Sequence, residues 1–183
     1  MSETILVTGA SAGFGQAICR RLVADGYRVI GSARRIDKLQ ALQEELGEAF
    51  YPLQMDVTDL SQVDHALASL PKDWERVDVL VNNAGLALGL APAYEAEVAD
   101  WLIMIQTNIV GLTYLTRKIL PQMVERNDGY IINLGSTAGT VPYPGANIYG
   151  ASKAFVKQFS LNLRADLAGK KIRVSNIEPG LCE

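Results

Sequence analysis

A short apolar strand, Thr4 to Thr8, runs directly into Gly9-Ala10-Ser11-Ala12-Gly13-Phe14-Gly15, and a helical pattern begins at Phe14, with Ile18 and Leu22 four apart. Three glycines between a strand and a helix dictate a tight turn. Without Cβ atoms, the backbone can come close to whatever sits against it. The helix beyond offers unpaired N–H groups and partial positive charge, a natural seat for a phosphate. The glycines at 9, 13 and 15 differ from the GxGxxG spacing, but the physics is shared. Gly9, Ser11, Ala12, Gly13, Phe14 and Gly15 are therefore the expected phosphate-side contacts.

The remaining chain alternates strand and helix to its end. Gly26 closes the first helix, and Tyr27 to Ala33 reads as a second strand. Leu39, Leu42 and Leu46 mark a helix closed by Gly47, and Phe50 to Met55 is a third strand. Asp59 is placed to cap a helix running to about Leu70, with Pro71 after it. Val77 to Val81 is continuously apolar, as a parallel strand buried on both faces should be. A long helix follows over 98–124, then a strand at Tyr130 to Gly135, a helix from Tyr149 to Leu167 and a strand at Ile172 to Ile177. Repeated β-α units imply right-handed crossovers and a parallel sheet. The expected fold is α/β and doubly wound, with strand order 3-2-1-4-5-6. A chain of 183 residues without linker or internal repeat predicts one domain, 1–183.

Charge and cysteine content exclude several classes. The net charge is −3 and no Lys/Arg run exceeds two residues, which argues against a nucleic-acid surface. No uninterrupted apolar run reaches membrane-spanning length, and no leader pattern follows Met1, so a cytoplasmic protein is expected. Cys19 and Cys182 are too few for a disulfide framework or metal site, and Cys19 reads as a packing residue. His65, the single histidine, has no acidic or nucleophilic motif beside it; no metal is expected.

The end of the second strand carries Ala33-Arg34-Arg35. An acidic residue there would accept from a free ribose 2′-hydroxyl; two guanidinium groups favour a 2′-phosphate. NADP is therefore predicted over NAD, the plainer alternative being two solvated loop arginines. After the third strand, Asp56 is placed to hydrogen-bond an adenine and Val57 to pack on it. Near the other end, Tyr149 and Lys153 lie four apart, on one helix face, with Ser136 thirteen residues upstream of the tyrosine. An ammonium beside a phenol favours the phenolate. Such a tyrosine can exchange a proton with an alcohol or carbonyl near neutral pH.

Taken together, Thr8-Gly-x-x-x-Gly-x-Gly15, Asn82-Asn83-Ala84-Gly85, Asn108, Ser136, Tyr149-x-x-x-Lys153 and Pro179-Gly180 resemble the short-chain dehydrogenase/reductase family, whose fold is Rossmann-like. Within it, Ala10-Ser-Ala-Gly-Phe-Gly15, Asn82-Asn-Ala-Gly-Leu-Ala-Leu-Gly89 and Ile177-Glu-Pro-Gly-Leu181 are similar to the bacterial NADP-dependent 3-hydroxy acid dehydrogenases, which are described as acting on serine, allo-threonine and malonic semialdehyde. The resemblance implies Tyr149 as general acid or base. Lys153 tunes it and holds the nicotinamide ribose. Ser136 bonds the substrate oxygen, and Asn108 holds a water linking Lys153 to solvent. It further implies that Asn83, Ala84 and Gly85 line the cofactor and that Pro179 and Gly180 pass near the nicotinamide. It also implies a homotetramer in which the helices at 98–124 and 149–167 pair across a two-fold axis. Phe155 and Phe159 face either that partner or the sheet.

Family members run longer, and the resemblance implies that a seventh strand and a substrate-lid segment are absent from this chain. Leu86, Leu88, Leu90, Pro92, Val141, Pro142 and Tyr143 form either an apolar pocket wall or ordinary loop packing. No arginine stands in those loops to pair with a substrate carboxylate. Two other functions stay open: a cofactor-binding module without turnover, and a reductase of neutral ketones or sugars on the same fold.

Overall fold

The computed structural model describes residues 3–180. Six strands form one sheet: β1 (Thr4–Thr8), β2 (Arg28–Ala33), β3 (Phe50–Gln54), β4 (Val79–Asn82), β5 (Gly129–Leu134) and β6 (Ile172–Ile177). They lie in the order β3-β2-β1-β4-β5-β6 and all pairs are parallel, as the β-α alternation predicts. The winding reverses between β1 and β4, so the loops leaving these two strands diverge. A crevice opens at the strands' C-terminal ends, where ligands of such sheets bind.

Alternation along the strands builds a core on each face. Ile5 and Val7 pack with Cys19, Leu39, Leu42 and Phe50, under α1 (Gly13–Ala24) and α2 (Ile36–Leu46). Leu6, Leu80 and Ile131 face the other way, against Val63, Leu115, Ile119 and Leu163 of α3 (Leu60–Ala68), α5 (Leu112–Arg126) and α6 (Asn147–Asp166). Cys19 is fully buried and its thiol is pushed up to about 12 by that burial. It is a packing residue, inert at neutral pH. His65 is exposed on α3.

Several boundaries differ from the sequence reading by a residue or two, and two of the differences have a physical reason. Strand β4 begins at Val79 rather than Val77. The Val77 N–H donates to Gln122 Oε1 (3.3 Å) and its carbonyl accepts from Arg126, so its polar groups are spent on α5 and not on a neighbouring strand. The helix expected over 98–124 runs from Val98 to Arg126, but as α4 (Val98–Ile105), a π-helical segment (Gln106–Gly111) and α5. By length and composition this 29-residue stretch is apolar enough to cross a membrane, although no uninterrupted apolar run in it is that long. Here Leu115, Ile119 and Met123 are buried against the sheet. On α6 the two phenylalanines divide: Phe159 packs against the core, while Phe155 is exposed, the rings stacked at 5.8 Å. Leu181 and Cys182 lie outside the described residues.

Candidate active site

Two adjoining clefts occupy the crevice. The larger, about 580 Å³, is lined by Gly9, Ser11, Ala12, Gly13, Phe14, Gly15, Arg34, Arg35, Asp56, Val57, Asn83, Ala84 and Gly85. The smaller, about 240 Å³, is lined by Gly85, Leu86, Ser136, Tyr149, Lys153, Pro179 and Gly180. Phe14, Asn83, Gly85 and Leu86 border both. The structure thus brings to one groove the residues expected there from sequence. Asn108 lies behind it, 1% exposed.

The larger cleft is built mainly of backbone. Gly13 sits at φ +53° with open space where a Cβ would point, and a Cβ on Gly15 would lie 2.2 Å from the Gly9 carbonyl oxygen. Only glycine allows that turn and that helix-to-turn contact. Helix α1 starts at an extended Ala12 with no side-chain cap, whereas Asp59 accepts from the Ser61 and Gln62 N–H groups at the start of α3. The first N–H groups of α1 are therefore left to an anionic ligand. Arg35 Nη2 donates to Ser11 Oγ (2.9 Å), which joins the end of β2 to the glycine turn. Arg34 is exposed at the cleft edge. Asp56 accepts from Thr58 N and Oγ1, both on Oδ1, while Val57 lines the same wall. Ser32, fully buried with Oγ unpartnered among the described residues, also lines this cleft. A phosphate-bearing dinucleotide fits this donor set: uncapped amides, two guanidinium groups and a glycine-rich turn.

The turn is pinned from the far strand. Thr8 Oγ1 accepts from the N–H groups of Asn83 (3.0 Å) and Ala84 (2.8 Å), and Asn83 Nδ2 donates to the Thr8 carbonyl (2.7 Å). Asn83 Nδ2 is thereby committed to the turn, while the residue lines both clefts. Thr8 was visible in the motif, but this task depends on a contact across seventy-five residues, for which spacing gives no signal.

In the smaller cleft Lys153 dominates. Its Nζ donates to the Leu134 carbonyl (2.8 Å) and lies 5.8 Å from the Tyr149 ring centre. Burial pushes the ammonium down from 10.5 to about 8, so it stays mainly charged at pH 7. Asn108 sits in the π segment. Its Oδ1 accepts from the Leu86 N–H (3.0 Å), and its Nδ2 donates to the Leu86 carbonyl (2.9 Å) and to Ser152 Oγ (3.0 Å). Ser152 in turn donates to the Tyr149 carbonyl (2.7 Å). A Cβ on Gly85 would be 3.3 Å from both Asn108 Oδ1 and Lys153 Nζ, so these groups flank one point of the loop. Ser136 Oγ accepts from the Ala138 N–H (3.1 Å), which begins the short turn Thr137–Gly139 and orients the hydroxyl at the cleft.

The expected apolar wall is only partly assembled. Leu86 lines the smaller cleft, but Leu90, Val141 and Tyr143 are 79%, 61% and 44% exposed. Leu88 lines a separate cavity of about 130 Å³ with Trp101 and Asn147. Among the described residues Lys153 is the one cationic side chain lining the smaller cleft. No group of three or more His, Cys, Asp or Glu among them is placed to hold a metal ion.

The short chain dehydrogenase family model matches residues 3–183. A probable NADP-dependent dehydrogenase of Haemophilus influenzae is 62% identical over 99% of this chain and 72% of its own length. The NADP-dependent 3-hydroxy acid dehydrogenase YdfG of Salmonella typhi is 60% identical over 97% of this chain and 71% of its own. The closed form of a serine dehydrogenase complexed with NADP+ superposes with a TM-score of 0.96 at 58% identity, covering 97% of this chain and 72% of that one.

Lys153 gives a pH signature. Between pH 8 and 10.5 the unfolded chain keeps the lysine proton and the folded chain has shed it, so stability from this residue rises with pH across that window. That contribution is lost as pH falls to 8. The unfolding free energy of the wild type relative to Lys153→Met should improve by on the order of 3 kcal/mol over the window. Urea titrations at several pH values measure it; a constant difference would mean the ammonium is solvated.

Proposed function

The chain belongs to the short-chain dehydrogenase family, and we propose that it is an NADP-dependent oxidoreductase transferring hydride between the nicotinamide and C3 of a 3-hydroxy acid of the serine, allo-threonine or 3-hydroxypropionate type. The observation that carries this reading is the convergence of Ser136, Tyr149 and Lys153 on one small cleft that opens into the glycine-built one. The names of the relatives support the substrate class.

When bound, NADP supplies or accepts the hydride. The chain's own residues handle the proton and the geometry. In the oxidising direction Tyr149, as phenolate, takes the proton from the substrate hydroxyl; in the reducing direction it returns that proton to the oxygen. Lys153, charged at pH 7, lies 5.8 Å from the Tyr149 ring centre and offers donors to a ribose. Ser136 donates to the substrate oxygen as charge develops there. Asn108 holds the Leu86 backbone against α6, with a water between it and Lys153 in this reading. The turn Gly9–Gly15 carries the pyrophosphate, Arg34 and Arg35 the 2′-phosphate, Asp56 and Val57 the adenine. Asn83, Ala84, Gly85, Pro179 and Gly180 border the nicotinamide half.

The reading extends to one cofactor-binding domain, a cytoplasmic location and a homotetramer. The free, buried thiol of Cys19 suits a reducing compartment. Val98, Leu102 and Ile103 on α4 and Phe155 and Leu161 on α6 are exposed apolar side chains, and α4 packs beside α6. That supports self-association through these helices.

A second reading, reduction of neutral carbonyls, is favoured by the single cation of the smaller cleft, which is already bonded to the Leu134 carbonyl. Rates on L-serine and 3-hydroxypropionate against neutral alcohols, followed at 340 nm, separate the two. Faster turnover of the acids is expected. Tyr149→Phe should lower kcat by about 1,000-fold while NADP binding stays within about threefold; full activity in that variant would sink the assignment. Arg34→Ala with Arg35→Ala should weaken NADP by about 100-fold, from the loss of charge-assisted bonds, and leave NAD affinity nearly unchanged in parallel titrations.

A further inference from the structure

Helix α6 carries a third polar residue on the stripe that holds Tyr149 and Lys153. Lys157 is one more turn along, yet it lines neither cleft. Its Nζ donates to Thr140 Oγ1 (2.9 Å) and lies 3.3 Å from Glu178 Oε1. The same carboxylate oxygen accepts from Asn176 Nδ2 (2.8 Å).

Each partner belongs to a different wall of the smaller cleft. Thr140 ends the turn that begins with Ser136: its N–H, like that of Val141, donates to the Thr137 carbonyl. Glu178 directly precedes Pro179 and Gly180, and the Pro179 carbonyl accepts from the Thr137 N–H (3.0 Å). The turn itself sits flush on α6, since a Cβ on Gly139 would lie 2.7 Å from Ala154 N and from the Lys153 carbonyl carbon. One ammonium thus ties the Ser136 turn and the Pro179 turn to the helix of Tyr149 and Lys153. The side chains are 42% and 27% exposed, and a pair this open adds little to global stability. Its effect is local: it sets how three cleft walls meet.

We propose that Lys157, clamped between Glu178 and Thr140, is a positioning residue that holds the Ser136 and Pro179 turns in register with Tyr149 and Lys153. The role in turnover rests on the dehydrogenase reading; the mechanical role does not. Small displacements at a reacting centre cost large factors in rate.

The test compares wild type with Lys157→Met, Lys157→Arg and the swap Lys157→Glu with Glu178→Lys. Amide hydrogen exchange is the first readout. In Lys157→Met the Thr137 and Val141 amides should exchange at least about 10-fold faster, with Ile131 and Val156 unchanged; Arg and the swap should restore protection. The second readout is turnover: kcat should fall about 10-fold in Lys157→Met with KM for NADP nearly unchanged, and recover in the other two. Thr140→Val, which removes only a hydroxyl, repeats the test should Lys157→Met fail to fold. Unaltered exchange, or altered exchange with unaltered kcat, overturns the proposal. A wild type without turnover refutes the dehydrogenase reading instead, and exchange alone then decides whether the clamp exists.

Discussion

An ammonium taken out of water is costly unless its protons find acceptors and its surroundings are held still. Lys153, 7% exposed, imposes that condition on half of the sheet. Its acceptor is the carbonyl of Leu134, the last residue of β5, so β5 must end at that height relative to α6. Leu134 is beside Ile177 in the ladder, and the next residue, Gly135, donates to the Ile177 carbonyl. The height of β6, and with it the start of the Pro179 turn, follows from the same constraint. Tyr149 is one turn away on a rigid helix. A single buried charge therefore relates Tyr149 to both turns that border the smaller cleft.

Helices packed by apolar contacts alone can slide by fractions of a turn; directional bonds resist this. A buried polar chain supplies them here. Asn82 on β4 donates to Asn133 on β5 (2.9 Å) and to Thr116 on α5 (2.9 Å), and Asn133 donates to Ser160 on α6 (2.9 Å). All four side chains are 3% exposed or less. Thr116 and Ser160 each return a bond to their own helix, so their hydroxyls are satisfied. This chain fixes α5 and α6 against the strands beneath the site, and Asn108 to Ser152 ties the same two helical layers at its level. In the proposed mechanism Tyr149 needs that stiffness, because a proton passes only to an atom held within hydrogen-bond reach.

The sequence patterns that repeat locally were readable. Strand order followed from β-α alternation, the cleft residues from glycine spacing and from the four-residue step between Tyr149 and Lys153. What escaped reading depends on contacts between distant segments. Thr8 as a clip for Asn83 and Ala84, Ser152 as a rest for Asn108, and Ser32 in the cofactor wall all look like ordinary small polar residues along the chain. The π segment had one usable trace: Gly111 inside an apolar helix pattern. A Cβ there would strike the Val57 carbonyl at 2.7 Å, and an isolated helical glycine often marks such close approach. The exposure of Leu90, Val141 and Tyr143 was not legible either, since apolar loop residues look alike whether covered or bare.

The two clefts divide recognition unequally. The larger one offers charge, with two arginines and uncapped amides; the smaller one offers two hydroxyls, Ser136 and Tyr149, and carries one cation already committed to Leu134. A hydroxyl is common to hydroxy acids, sugars and simple alcohols, so the proton-handling residues cannot by themselves distinguish these substrates. A carboxylate brought beside Lys153 would compete with the Leu134 carbonyl for the same ammonium. Selection of an acid is therefore best served by donors away from Lys153, at the rim rather than the floor. Leu86 and Ala87, at the start of the 86–92 loop, line the smaller cleft, and the same loop is held to the first residue of α6 where Asn147 Nδ2 donates to the Ala91 carbonyl (3.1 Å). In the proposed mechanism substrate choice and proton transfer thus fall to different parts of the molecule, and the rim can change without disturbing Lys153.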